Sequence, residues 1–267
     1  MNKGYRFGLS TTVDYTVDIF TQLEIIAGAN LDFISLGGNL GHGRFHDRYG
    51  FQEVRKTADR LGLSIESAHA PFGLEDDIAA SDETTRKRSC ERFLDFARTA
   101  AGYGIPLVIL HPHYYLTGTR GNSLERASLS LEKILASLPD NLAVAIENLP
   151  REDGSWICAR LLDRFDRSRL GFCYDSSHEN FSGPPFHLLE KYYDRMITCH
   201  LSDNHGRSDE HLIPGDGIID WERLSQYFEK VPNLKSILFE VGTGEKLVEP
   251  VEKFIMRAAQ MARKIFN

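Results

Sequence analysis

The stretch LAVAIENLPREDGSWICARLLDRFDRSRLGFCYDSSH, Leu142–His178, holds two short apolar runs separated by one amphipathic segment. Leu142–Ile146 and Leu170–Tyr174 are apolar and β-rich, and Trp156–Phe165 between them has helical patterning. Strands without a polar alternation are covered on both faces, and a strand, a helix and a second such strand make a parallel βαβ unit. Each apolar run is followed at once by a carboxylate, Glu147 after the first and Asp175 after the second.

The same alternation extends in both directions. Further strands are expected at Tyr5–Leu9, Leu31–Leu36, Leu63–Ala68, Leu107–Leu110, Met196–Cys199 and Lys235–Phe239. Helices are expected near Val17–Gly28, Phe51–Leu61, Glu83–Ala101, Leu124–Leu138, Pro185–Arg195, Trp221–Lys230 and Leu247–Ile265. In the last of these, Leu247, Val251, Phe254, Ala258, Met261 and Ile265 step by three or four, a core-facing stripe at the helical period. Gly28-Ala29-Asn30, Leu61-Gly62 and Gly102-Tyr103-Gly104 read as helix ends, and Asp220 and Ser81 or Asp82 as helix starts. Eight strand–helix pairs predict an α/β fold, a single-domain (β/α)₈ TIM barrel over residues 1–267. A doubly wound open sheet is the alternative, but no Gly-x-Gly-x-x-Gly turn follows the first strand.

Composition agrees with one globular chain. The 267 residues carry 31 basic and 38 acidic side chains, a net charge of −7, with 42% hydrophobic and 26% charged residues. Those proportions exclude a disordered, collagenous or coiled-coil chain. No apolar run approaches the roughly 20 residues of a membrane span, and Met1–Thr12 lacks a signal-peptide core. A soluble, cytoplasmic protein is expected. Cys90, Cys158, Cys173 and Cys199 form no Cys-x-x-Cys pair and are expected as buried free thiols. The acidic balance disfavours non-specific nucleic-acid binding, although a basic rim or bound cations can override it.

In a TIM barrel the site is built at the carboxyl ends of the strands. There the sequence places His69, His111, Glu147, Asp175, His200 and Glu240, after strands three to eight in order. One polar residue at a strand end is ordinary; six in succession point to chemistry. Two positions before each stand Ser67, Ile109, Ala145, Cys173, Thr198 and Leu238, and residues two apart share a face. This set is the smaller one on the later strands, so it should fill the barrel while the larger intervening residues face the helices. The six polar residues then point inward together. His178 follows Asp175 by three and fits either a metal ligand or a substrate contact. Asp209 and His211 form a second pair in the loop after strand seven, a ligand pair or a structured polar loop. Five imidazoles and four carboxylates exceed one tetrahedral ion and suit a cluster of zinc or manganese. Among other residues, His113 could serve the rim, and Arg44, Arg48, Arg120, Arg151 and Arg207 are surface charges of which one or two could hold a phosphate or hydroxyl. Phe45, Tyr49, Phe72, Tyr114 and Trp156 could supply apolar walls.

HAPF at His69, HPH at His111, EN at Glu147, YDSSH from Tyr174, HLSDNHGRSDEHLIPGDG from His200 and FEV around Glu240 resemble the xylose-isomerase-like superfamily. That superfamily holds sugar isomerases and epimerases beside the endonuclease IV family, and the resemblance spans essentially the whole chain. It implies a metal site at Glu147, Asp175, His200 and Glu240, with the two glutamates as catalytic acid and base. The nuclease branch implies nine ligands for three ions, matched in type and order by His69, His111, Glu147, Asp175, His178, His200, Asp209, His211 and Glu240. Around those ligands the sequence departs from the nucleases: Leu149-Pro150 follows Asn148, and two serines lie between Asp175 and His178. The Asp-Glu-His…Pro-Gly-Asp-Gly…Asp-Trp loop instead looks like sugar phosphate isomerase and epimerase relatives.

The resemblance therefore implies a divalent-metal-dependent isomerase or epimerase of a sugar or sugar phosphate, using one to three zinc or manganese ions. Proton transfer through an enediolate would run between Glu147 and Glu240, with His178, Arg207 and Phe72 as substrate contacts. The alternative is an abasic-site endonuclease hydrolysing a phosphodiester with three zinc ions. A non-catalytic binding barrel ranks last, because no ligand position is lost.

Overall fold

The structure, a computed structural model, describes residues 4–114, 116, 118–232, 234–244 and 249–266. Its strands are β1 Arg6–Ser10, β2 Phe33–Leu36, β3 Ser64–His69, β4 Leu107–Leu110, β5 Ala143–Glu147, β6 Gly171–Asp175, β7 Met196–His200 and β8 Ser236–Phe239. All pair in parallel, in chain order from β1 to β7, and β8 returns to β1. Between β7 and β8 the described ladder is one bridge, Leu201 to Phe239. There Leu201 N–H donates to Leu238 O and Glu240 N–H donates to Leu201 O, each at 3.0 Å. The chain is a single-domain (β/α)₈ TIM barrel.

The helices are α1 Ile19–Gly28, α2 Arg48–Arg60, α3 Glu83–Gly102, α4 Arg120–Ala136, α5 Glu152–Arg164, α6 Ser176–Asn180, α7 His187–Tyr192, α8 Trp221–Phe228 and α9 Val251–Phe266. Asp82 accepts from Thr85 N–H at 2.7 Å and Asp220 from Arg223 N–H at 3.0 Å, so both act as the expected N-caps. Gly62 and Gly104 take positive φ just past α2 and α3, where a side chain would be strained. In α9 the stripe residues Val251, Phe254 and Ala258 are buried, Met261 and Ile265 are half-buried against the core, and Leu247 lies outside the described residues.

Several helix bounds differ from expectation: α2 starts at Arg48 rather than Phe51 and α5 at Glu152 rather than Trp156, and two further differences have a visible cause. α4 starts at Arg120 rather than Leu124, because the Thr119 hydroxyl caps Asn122 N–H at 3.2 Å. Pro185–Arg195 is not one helix but α7 followed by a 3₁₀ turn at Tyr193–Arg195. Two prolines precede it, and Phe186 sits at φ 65 immediately before α7. The α7 start is fixed instead by Glu179, whose Oε1 accepts from Leu188 N–H at 2.5 Å.

The core divides as the strand alternation predicts. Ile109, Ala145 and Cys173 form a small interior cluster, separate from the large core between sheet and helices that holds Val144, Ile146, Phe172, Tyr174, Ile237 and Phe239. Ser67 and Ser35 share a buried hydrogen bond of 2.7 Å. Lower in the barrel the space goes to Phe33, and β1 must be glycine beside it: a Cβ on Gly8 would lie 2.3 Å from that ring. All four cysteines are buried and free. Among the described residues no helix is long and apolar enough to cross a membrane.

The loop after β7 is folded around one carboxylate. Asp203 Oδ2 accepts from Gly215 N–H and from the Trp221 indole, each at 2.8 Å, while Oδ1 accepts from Asn204 N–H at 2.9 Å and Ile219 N–H at 3.1 Å. Gly217 packs against that carboxylate so closely that a Cβ would stand 2.3 Å from Oδ1. Backbone bonds between Asp203 and Leu212, at 2.8 and 2.9 Å, complete the loop that carries Asp209 and His211.

Candidate metal centre

All nine candidate ligands meet at the carboxyl end of the barrel, around Glu147. Glu147 Oε2 lies 3.2 Å from His69 Nε2 and 3.4 Å from His111 Nε2; its Oε1 lies 3.3 Å from both His178 Nδ1 and His200 Nδ1. His200 Nδ1 is also 3.0 Å from Glu240 Oε2, and Asp175 Oδ1 is 3.8 Å from His178 Nδ1. On the outer side Asp209 Oδ2 stands between His178 Nε2 at 3.0 Å and His211 Nε2 at 3.1 Å.

Backbone carbonyls orient three of the imidazoles. His69 Nδ1 donates to Ala70 O at 2.6 Å, His178 Nδ1 to Asn148 O at 2.8 Å and His211 Nδ1 to Glu240 O at 2.9 Å. With Nδ1 carrying the donated proton, Nε2 is left to face the carboxylates, the arrangement that prepares a histidine to bind a metal. Asn148 holds β5 to β6: its Nδ2 donates to Asp175 O and its Oδ1 accepts from Asp175 N–H, both at 2.8 Å. Asp175 in turn starts α6 by capping His178 N–H at 2.7 Å, which explains why this pair is three residues apart.

The donor set fits a divalent cation. Among the described residues, ligand atoms of Glu147, Asp175, His200 and Glu240 lie within 4.8 Å of one another, and so do those of His69, Glu147 and His200. Asp175 Oδ2 is buried without a hydrogen-bond partner, an arrangement that costs free energy unless a ligand satisfies it. Mixed carboxylate and imidazole donors suit zinc or manganese.

The protonation pattern is that of a site seeking a cation. Burial alone would raise Glu147, but the charge of His200 and bonds from His111, His178 and His200 hold it well below the usual range. Burial is likewise outweighed at Glu240, which His200 brings down to about 2. Burial drives Asp175 up to about 7 and His111 down to about 4. His200 goes well above its ordinary value despite burial, because Cys173, Glu240 and Glu147 favour its charged form.

Above these residues opens a cavity of about 840 Å³, lined by His69, His111, Glu147, His178, Asp209, His211 and Glu240 together with a rim. Phe72 stands on that rim, its ring 5.3 Å from His69 and 4.5 Å from His111, as expected for an apolar wall. Arg207 corrects an expectation: it is exposed on the β7 loop and is not among the residues lining the cavity, because the Asp203 turn directs Asp209 and His211 inward instead. Arg151, in the loop after β5, lines the cavity instead. Tyr15 and Thr12 from the β1 loop also line it and were not expected, since nothing local marks them as facing the strand ends.

Comparison with known proteins fits this geometry. The description "Xylose isomerase-like TIM barrel" matches residues 23–255. The chain belongs to the xylose isomerase-like TIM-barrel family. Protein y4fM of Sinorhizobium fredii is 32% identical over 242 residues, covering 79% of this chain and 77% of that protein. A probable endonuclease 4 of Mycoplasmoides gallisepticum is 26% identical over 180 residues, 60% of this chain and 58% of that one. Among solved family folds, a D-tagatose 3-epimerase-like protein superposes with a TM-score of 0.80 at 21% identity, covering 97% of this chain and 96% of the other.

Proposed function

We propose that this family member is a divalent-metal-dependent isomerase or epimerase acting on a sugar or sugar phosphate. The observation that carries the reading is the group Glu147, Asp175, His200 and Glu240, with ligand atoms mutually within 4.8 Å, of which Glu147 and Glu240 line the cavity. Those four residues would hold the ion, zinc or manganese. When bound, a divalent ion supplies Lewis-acid polarisation of a carbonyl and its neighbouring hydroxyl.

The protein's own part is proton transfer. Glu147 and Glu240 flank His200, at 3.3 and 3.0 Å, and both are held ionised at neutral pH, the state a general base requires. One takes the proton from the carbon beside the carbonyl and later loses it to solvent. The other, once protonated from solvent, delivers one to the opposite face or the next carbon. Glu240 Oε1 is steered by the Ser10 hydroxyl at 3.4 Å, which leaves it pointing to the cavity side of β1. His178 binds a substrate hydroxyl or an ion, and Phe72 supplies an apolar wall. The D-tagatose 3-epimerase-like neighbour supports a sugar substrate.

The test is deuterium wash-in from D₂O into a panel of ketoses and ketose phosphates by the metal-loaded protein. Exchange at the carbon beside the carbonyl is expected and should vanish in Glu240→Gln. No exchange across the panel with full metal loading overturns the reading.

A second reading, abasic-site phosphodiester hydrolysis, is favoured by one observation: the His178–Asp209–His211 chain extends the centre to all nine ligands, and a relative is a probable endonuclease 4. One ion per chain, or no cleavage of an abasic duplex at three ions per chain, removes it.

A further inference from the structure

We propose that Asn148 is a positioning residue of the metal centre: its side-chain amide sets the spacing of Glu147 and Asp175, and with it the affinity for the ion. The inference rests on the metal-binding part of the reading above and adds a residue outside the nine ligands.

The paired strands run out where the ligands begin. The β5–β6 ladder joins Ala145 to Gly171, Ile146 to Phe172 and Glu147 to Cys173, and stops there. Asp175 lies two residues further along β6, where the neighbouring chain has left the strand and runs on to Pro150, which has no N–H to give. Asp175 is fully buried, so its backbone N–H and C=O cannot turn to water. The Asn148 side chain meets both, accepting from Asp175 N–H through Oδ1 and donating to Asp175 O through Nδ2, each at 2.8 Å. A primary amide offers the donor and the acceptor of a peptide group, so Asn148 stands in for the missing rung.

That rung bears on three ligands at once. Glu147 precedes Asn148 in the chain, and Asp175 is held by it across the sheet. With its backbone fixed, Asp175 gives Oδ1 to His178 N–H at 2.7 Å and keeps Oδ2 buried and unpartnered. The Asn148 carbonyl accepts from His178 Nδ1 at 2.8 Å, and His178 Nε2 then stands 3.0 Å from Asp209 Oδ2. Asn148 itself is fully buried and is not among the described residues that line the cavity. It therefore acts on the ion only through the ligands it places. An aspartate here would keep the bond from Asp175 N–H but set an oxygen against Asp175 O, and a glutamine would carry the amide one methylene too far.

Cobalt(II) titration of the full chain, stripped with EDTA and measured against a competing chelator, tests the assignment, because the visible bands of cobalt report ligand geometry as well as occupancy. Asn148→Ala is expected to weaken cobalt binding about 10–100-fold and to shift those bands. Asn148→Gln should do both in smaller measure, and it keeps the test open where Asn148→Ala does not fold. Gly8→Ala, which crowds Phe33 elsewhere in the barrel, should keep the parent's affinity and spectrum despite its lower stability. Parent affinity and an unshifted spectrum in both Asn148 variants, at whatever cost in Tm, overturn the proposal and leave the clamp merely structural. An equal loss of affinity in Gly8→Ala also overturns it, since general loosening of the barrel would then account for the effect. A parent chain that takes up no cobalt overturns the metal reading itself, and this inference with it.

Discussion

Glu179→Gln should remove a pH dependence of stability that the wild type carries. Glu179 is buried at the end of α6, its Oε1 holding Leu188 N–H and its Oε2 without a partner. Burial raises its carboxyl from the ordinary 4.5 to about 7, more than the Leu188 N–H and the Tyr174 hydroxyl lower it. The folded protein thus binds a proton that the unfolded chain has released between those values. Its contribution is full below the unfolded value and is lost as pH rises through about 7. That gap corresponds to ~3 kcal/mol in all, of which about 2.5 kcal/mol falls between about pH 5 and pH 8. An amide keeps the oxygen that caps α7 and stays neutral throughout. Urea unfolding of both proteins in EDTA, at steps across that range, should show the variant gaining on the wild type by about 2.5 kcal/mol toward high pH. A difference that stays constant to within about 0.5 kcal/mol would refute the argument that burial governs this carboxyl.

Other consequences can be checked with simple variants. Asp203→Asn turns one acceptor oxygen against N–H donors and should cost ~3–6 kcal/mol, two charge-assisted bonds, together with metal retention by Asp209 and His211; an unchanged urea midpoint and metal content would contradict the loop's dependence on this carboxylate. Gly8→Ala brings a Cβ to 2.3 Å from the Phe33 ring and should lower stability by ~1–3 kcal/mol, read as a drop in Tm. Because His200 holds a proton well above its ordinary range without metal, binding an ion must release it. Zinc or manganese affinity should therefore fall about tenfold for each pH step of one below neutrality, and a pH-independent affinity would show that His200 is not a ligand.

Much of the barrel could be read in the sequence because its signals are local. Ile109, Ala145 and Cys173 sit two residues before their ligands, so strand alternation alone sends all six strand-end groups inward. Each Asp or Gly punctuation acts on its own helix end, which is why Asp82, Asp220, Gly62 and Gly104 do what their positions suggest. What escaped depends on contacts distant in sequence. The Asn148 clamp is formed with Asp175, and Glu179 fixes α7 by a bond across the proline turn. Arg207 and Arg151 are indistinguishable as loop arginines in sequence; which one lines the cavity depends on how the loops after β5 and β7 fold in space.

The narrow join between β7 and β8 has a mechanical meaning. Elsewhere the wall is stitched by ladders of two to four residue pairs, but here the described pairing is the Leu201–Phe239 bridge, and His200 and Glu240 are the residues beside it, one at the end of each strand. An ion held by both, as proposed, would work as a clasp across the seam of the cylinder, so filling the centre would also tighten the hoop. Occupancy is then legible at a distance: amide exchange along β7 and β8 should slow together when the clasp is shut, while β3 and β4, joined by their own ladder, report little.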